Sequence, residues 1–422
     1  MKSERYFAVA ASGSAFGDFT AEARRTPRKG FLRKTTSELS VLRASAVNIF
    51  PRQLYKTLVT LSWLILAVFP RAAHADWKSD WEKVAAAAKK EGQLNLYVGR
   101  YGQAALLDEF RKEFPEIKIT SVNGTGDQLA TRIAAEARAG KVIADLYSGG
   151  PNSNYNVLYR GKLLDSLKAA FILPEVLDES KWLGGKHVFT DRENQFVYVY
   201  VALPGSRGLS FNTTQVNAKE FKSYWDLTQP NWKGKITSQR ITDTGLTAHL
   251  QFYYYNPDLG PEYIKRAFGA TEVTFGDRRA ITDWLAAGKY AICHGCRQVD
   301  KAQSQGLPVD DFDTGEWKEG QQLSTGGGSI GLLKGGPNPN AARLFINWFL
   351  SRRGQTAMQK SNDLYGEHPP NSRRIDIPKE MLPRENRLIE GRKYLDVSHP
   401  EFNDMKPVQQ LAREIMRARE QK

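Results

Sequence analysis

Apolar residues at 77, 81, 84 and 88 recur at helical spacing, and the pattern predicts an amphipathic helix over 76–91 that Gly92 ends. Residues 94–98 (LNLYV) read as a short buried strand. A tight turn through Gly99 and Gly102 leads into a helix over 103–114, which Pro115 stops. A strand is expected over 117–122, a loop over 123–127 (NGTGD) and a helix over 128–139. A third strand over 142–147 runs into Ser148-Gly149-Gly150 and a helix over 152–160. This β-α-β-α-β-α order calls for a mainly parallel sheet with helices on both faces. Ligands of such sheets bind at the carboxyl ends of the strands. The loops at 99–103, 123–128 and 147–153 are therefore the first candidates for a site.

A second α/β region follows. Strands are expected over 208–212, 235–238, 290–293 and 329–334. Helices are expected over 221–227, 247–254, 261–269, 277–288, 340–350 and 353–360. The tail from 367 is rich in Pro and Arg and ends in a helix near 407–419. No internal repeat of 20–50 residues is visible.

Ahead of these elements lies a leader. Arg52 and Lys56 precede a 12-residue apolar run over 58–69 (LVTLSWLILAVF), and Ala73-His74-Ala75 has the form of a cleavage site. The run falls short of the roughly 20 residues needed to span a bilayer, so it reads as a secretory signal cut after Ala75. This placement explains the charge. The chain carries a net charge of +14, but residues 1–75 hold 12 Lys/Arg against 4 Asp/Glu, leaving 48 against 42 in the rest. Basic runs with interleaved aromatics, of the kind that grip nucleic acid, do not occur after residue 76. Enzyme signatures are missing too: there is no H-E-x-x-H, P-loop or strand-borne G-x-G-x-x-G, and the G-x-S-x-G match at Gly327-Gly328-Ser329-Ile330-Gly331 runs into a strand instead of opening a helix. The glycines 326–328 precede a strand, not a helix.

An ordered set of segments resembles a known family. These are Leu94-Asn-Leu-Tyr-Val98 with Gly99, Gly126-Asp127-Gln128-Leu129-Ala130 and Ala144-Asp145-Leu146-Tyr147. They continue with Gly208-Leu-Ser-Phe-Asn212, Tyr224-Trp225-Asp226-Leu227 before Trp232-Lys233-Gly234-Lys235-Ile236, and Ser329-Ile-Gly-Leu-Leu-Lys334. Over about 92–365 the chain is similar to periplasmic solute-binding proteins of the ferric-iron-binding type, within the type 2 periplasmic-binding fold. The resemblance implies an α/β fold of two lobes, each a mixed, mainly parallel sheet flanked by helices, with two crossing strands, expected at 208–212 and 329–334, as hinge. Lobe 1 is expected at 76–207 with 326–365, lobe 2 at 208–325, and a tail at 366–422 packed on lobe 2. It also implies a periplasmic, monomeric protein, not embedded in the membrane, that takes a small solute to an ABC permease and its ATPase, with no cofactor and no nucleic acid.

In such relatives the cleft offers a His after the first strand, a carboxylate before the second helix and two adjacent tyrosines from the second lobe. Here those positions hold Tyr101, Asp127, and Cys296 with Arg297. The main ferric ligands are thereby removed, although phenolate and carboxylate oxygens are what Fe(III) prefers. A guanidinium is instead a fixed fork suited to carboxylate, phosphonate or sulfonate oxygens. The expected ligand set is Arg100, Tyr101, Gly126, Asp127, Tyr147, Arg240, His294, Cys296 and Arg297, with Arg278 near another cleft loop. The ligand is an organic anion or a metal ion. Backbone N–H groups at 124–127 are a further anion site, or Asp127 is a plain helix cap. Cys293-His294-Gly295-Cys296 has three readings: a short disulfide stiffening the loop, a zinc-type site, or a thiol oxidoreductase site. The run Tyr253-Tyr254-Tyr255 is read as helix packing.

Overall fold

The structure is a computed structural model that describes residues 6–7, 77–102, 104–205, 208–242, 246–269, 271–273, 278–361, 369–383 and 386–421. The expected signal segment and its cleavage site at Ala75 lie outside the described residues. Among the described residues no helix is long and apolar enough to cross a membrane.

Three sheets organise the described residues. The strands are β1 (Tyr6–Phe7), β2 (Gln93–Val98), β3 (Lys118–Asn123), β4 (Leu146–Gly149), β5 (Leu164–Asp165), β6 (Val197–Val199), β7 (Leu203–Pro204), β8 (Leu209–Asn212), β9 (Ile236–Ser238), β10 (Glu272–Val273), β11 (Ile292–His294), β12 (Val309–Asp311), β13 (Gln321–Ser324), β14 (Ser329–Leu333) and β15 (Tyr394–Asp396). The helices used below are α1 (Trp77–Glu91), α2 (Ala104–Glu113), α3 (Gly126–Arg138), α4 (Thr247–Tyr255), α5 (Gly260–Gly269), α6 (Arg278–Ala286), α7 (Val299–Ser304), α8 (Pro339–Leu350), α9 (Arg352–Lys360) and α10 (Lys406–Glu420).

The first lobe is built on the order β3-β2-β4-β14-β5, with β6 also paired to β14. Here β2 runs parallel to β3 and β4, as the alternating strand and helix pattern requires, and β14 is antiparallel to its neighbours. Its core draws on α2 and α8. Phe110 of α2 is fully buried, with ring centroids 5.2 Å from Phe345 and 5.1 Å from Trp348. Burying such aromatics contributes roughly 1.5–3 kcal/mol each. On α1, Val84 and Ala88 are buried, as the periodicity predicts.

The second lobe has the order β10-β9-β11-β8-β12. Strands β10 and β11 are parallel to β9, while β8 is antiparallel to both β11 and β12. Tyr253, Tyr263 and Tyr224 pack into its core, so the tyrosine run on α4 serves packing. The helix expected over 221–227 is instead a pair of 3-10 turns, Ala218–Glu220 and Tyr224–Thr228. Asp226 accepts the Ser223 N–H, a capping box too close to Pro230 for a longer helix to follow.

The third sheet joins the lobes, in the order β1-β15-β13-β7. Among the described residues three passages between the lobes run through it, by β7, by β13 and, in the tail, by β15. The expected crossing strands at 208–212 and 329–334 are therefore corrected: each lies just inside a lobe, as β8 and β14, and the crossing happens a few residues earlier. The tail braces this region. Ala202 N–H donates to Asn371 O (2.8 Å) and Arg373 N–H to Tyr200 O (2.8 Å). The Arg373 guanidinium is buried, paired in two contacts with Asp396 (2.7 and 3.0 Å), and donates to Val201 O (3.1 Å). Arg374 is buried as well, reaching Leu350 O (2.9 Å) and Asp376. Further on, Leu411, Ala412 and Ile415 of α10 enter the core of the second lobe. The tail thus touches both lobes.

Candidate functional site

The carboxyl ends of β2 and β4 and the start of α3 converge on three glycines. A side-chain carbon at Gly99 would lie 3.2 Å from Gly149 Cα and 3.4 Å from Gly126 Cα. Backbone approaches backbone there because no side chain intervenes. Gly99 N–H donates to Ser148 O (2.6 Å) and Gly124 N–H to Val98 O (3.2 Å), locking the loops at 99, 124 and 148 together.

The polar groups of this half are used internally. Tyr147 is fully buried, and its hydroxyl donates to Gly126 O (3.2 Å); burial pushes the phenol pKa up. Tyr147 therefore supports the glycine floor and stays a phenol. Ser148 Oγ lies 2.8 Å from Tyr200 Oη and 3.2 Å from Tyr101 O. Ser148 has one proton, so if it donates to the carbonyl, Tyr200 must donate to Ser148. The buried Tyr101 ring meets Tyr200 edge-on at 6.4 Å, and the Arg100 guanidinium sits 5.8 Å from the Tyr101 centroid. The side chain of Arg100 lies along Gly327, where an added carbon would meet its Cδ at 2.8 Å. The residues near 100 and the glycines 326–328 thus form one wall, which the sequence reading had kept apart.

Asp127 is exposed in the first turn of α3 and accepts a bond from Ser153 (2.6 Å). It is not the cap expected for this loop. Thr125 is, in a reciprocal pair with Gln128. The capping box T-x-x-Q was readable in the sequence.

In the second lobe, β9 and β11 end side by side. Gln239 N–H donates to His294 O (2.9 Å), and Gly295 N–H to Gly208 O (2.5 Å). Cys293 and Cys296 form a disulfide, and both are buried. That leaves no thiolate for a zinc-type site, and burial keeps the bridge from the incoming thiolate that exchange requires. Among the described residues there is no group of three His, Cys, Asp or Glu side chains placed to hold a metal. His294 is buried against Phe268 (4.9 Å) and Tyr253 (6.5 Å); burial drops its pKa to about 3, so it stays neutral. It is a core histidine rather than a charged ligand.

Arg240 and Arg297 are both exposed, and neither guanidinium has an ion-pair partner among the described residues. Arg297 is anchored by its backbone: its N–H donates to Thr282 Oγ1 (3.0 Å), and that hydroxyl donates back to Arg297 O (2.9 Å). Arg278 opens α6. One residue was missed. Gln239 is buried, and its Oε1 has no hydrogen-bond partner. It sits beside Gly295, where an added carbon would lie 3.3 Å from that oxygen. The strand-end rule that singled out Arg240 applies equally to its neighbour Gln239.

Residues 105–379 match the family of bacterial extracellular solute-binding proteins, and the chain belongs to that family. It is a family of substrate-binding transport proteins, not enzymes. Solved structures share the two-lobed fold. A Trichodesmium IdiA/FutA protein in complex with iron and citrate is 19% identical, with 77% of this chain and 99% of that one covered, at a TM-score of 0.56. Iron-bound HitA from Pseudomonas aeruginosa is 18% identical, covering 76% and 99%, at 0.53. The substrate-binding protein of an ABC transporter from Agrobacterium tumefaciens is 16% identical, covering 77% and 94%, at 0.51.

Proposed function

We propose that this chain, exported to the periplasm through a signal segment cut after Ala75, captures a small organic anion between its lobes and delivers it to an ABC permease. Arg297 is the observation that carries this reading. Its guanidinium is exposed, unpaired among the described residues and held by its backbone, where ferric-binding relatives are expected to present a tyrosine. Arg240 stands at the neighbouring strand end and adds a second exposed guanidinium. Lobe closure removes such contacts from water and strengthens them. The competing ligand is ferric ion, favoured by the iron-bound relatives.

A thermal-shift series with inorganic phosphate, methylphosphonate, citrate and Fe(III) separates the two. An anion at 100 times its dissociation constant should stabilise by about 2.7 kcal/mol, and Arg297→Ala should remove most of that shift. A shift with Fe(III) alone that persists in Arg297→Ala would overturn the anion reading.

A further inference from the structure

We propose that the Cys293–Cys296 disulfide is a positioning element for Arg297, holding that residue's backbone so that its guanidinium meets the ligand already aimed. The inference rests on the anion reading above.

Strand β11 ends at His294, and α7 begins at Val299. Between them the chain turns sharply. Gly295 has φ +88° and Gln298 φ +56°, so two left-handed residues fall within four positions and flank Arg297. Glycine takes this conformation freely, but glutamine does so at a cost. A segment of this shape persists only when its surroundings impose it.

Three restraints do so. The disulfide ties Cys296 back to the strand at Cys293. The Gly295 N–H is held by Gly208 O, at the point where the chain enters the second lobe. The Thr282 hydroxyl holds both the N–H and the C=O of Arg297. The sulfurs lie in a small apolar core with Ile281, Leu285, Val299 and Val309. That core fixes Cys296 against the same helix, α6, that carries Thr282. One end of Arg297 is thus tied to a cross-link and both of its peptide groups to one hydroxyl, while its side chain is exposed.

Two features argue for positioning over bulk stabilisation or redox sensing. A bridge between residues three apart closes a very short loop, and cross-link stabilisation grows with loop length, so its global contribution sits at the low end. Sensor cysteines are exposed, whereas Cys293 is fully buried and Cys296 nearly so. What the bridge does hold is local: the loop that presents Arg297. A donor fixed before binding loses less freedom when the ligand arrives.

The test compares four proteins: the natural sequence, Arg297→Ala, Cys293→Ser/Cys296→Ser, and the triple variant. Affinity for methylphosphonate and for inorganic phosphate is measured by calorimetry, with circular dichroism as the fold check. The serine pair should bind about 10-fold more weakly than the natural sequence, and the triple variant no more weakly than Arg297→Ala alone. Unchanged affinity in a folded serine pair would overturn the proposal. So would an equal loss in the Arg297→Ala background, since the bridge would then act through some other group. If the serine pair does not fold, reduction of the intact chain by dithiothreitol, two electrons and two protons converting the bridge to two thiols, gives the same comparison. If the natural sequence binds neither anion, the anion reading fails, and amide exchange still decides the positioning claim. Exchange at Arg297 and Gln298 should rise at least 10-fold without the bridge while β11 stays protected, and no rise there would refute it.

Discussion

The two halves of the proposed cleft are built on opposite plans. In the first lobe the wall is backbone: Gly99, Gly126 and Gly149 press together, the hydroxyls of Tyr147, Ser148 and Tyr200 bond to each other or to main chain, and that of Ser153 bonds to Asp127. In the second lobe the wall is side chain: Arg240 and Arg297 stand exposed without ion pairs among the described residues, over a loop whose constraints lie behind it. The first plan makes shape inseparable from folding. The second lets ligand choice vary with little effect on the fold. Substitutions should therefore hurt stability on one side and affinity on the other.

The largest effect is expected where the halves are joined. Asp396→Ala leaves the buried Arg373 guanidinium without its carboxylate, and breaking a buried pair from one side costs about 3–5 kcal/mol. Urea unfolding should show that loss. A change below about 1 kcal/mol would mean that the tail does not brace the junction.

Next comes the glycine wall. Gly149→Ala would drive a methyl into the fully buried Tyr147 ring. Overpacking of this kind costs about 1–3 kcal/mol, and the melting temperature should drop accordingly. Arg297→Ala, by contrast, should leave stability within about 0.5 kcal/mol. Equal losses at the two positions would erase the distinction between the halves.

Acid should expose a third difference. The folded pKa of His294 is depressed to about 3, below the ordinary value near 6.5. Its contribution to stability is therefore complete above about pH 6.5 and is lost as pH falls from there toward 3. Burial pushes the Asp396 carboxyl up, but the Arg373 charge and hydrogen bonds, with His399 and Ser398, together outweigh it and depress the folded pKa to about 2. What it contributes is present above about pH 3.9 and is lost below that. Stability followed by urea titration should fall with a slope of up to about 1.4 kcal/mol per pH unit between pH 6 and 4, and His294→Phe should flatten that limb. An unchanged slope in the variant would remove His294 from the account.

The smallest effect belongs to Asp127→Asn. The carboxylate at the start of α3 contributes about 0.3–1 kcal/mol through the helix dipole. Neutralising it should weaken the fold by no more than that, as read by thermal melting, while leaving Thr125 as the cap. A larger loss would mean that the Ser153 contact is part of the glycine wall.

Legibility in the sequence followed the same division. The strand-turn-helix rhythm over 93–138 was readable because alternation, Pro115 and the Gly-bearing turns all agree, and β2, β3 and β4 pair in parallel as that rhythm demands. Arg297 stands out in the sequence because it departs from a family pattern, and its place in a ligand site is part of the proposal. Tyr147 was misleading: a tyrosine beside a cleft loop resembles a ligand, and only packing shows its hydroxyl turned to Gly126 O. The junction was hidden for a different reason. Arg373 and Asp396 are charged, stand 23 positions apart and lie in a stretch rich in Pro and Arg, so each reads as surface until the pair is seen buried. The sheet of β7, β13 and β15 was missed because its strands are two to four residues long, too short for any period to register.

Native mass spectrometry of the chain from residue 76 onward, isolated from the periplasm of producing cells, puts the central claim to its most direct test. The expected result is a fraction carrying a small organic anion that disappears in Arg297→Ala. Stoichiometric iron retained in Arg297→Ala, with no bound anion in either protein, would contradict it.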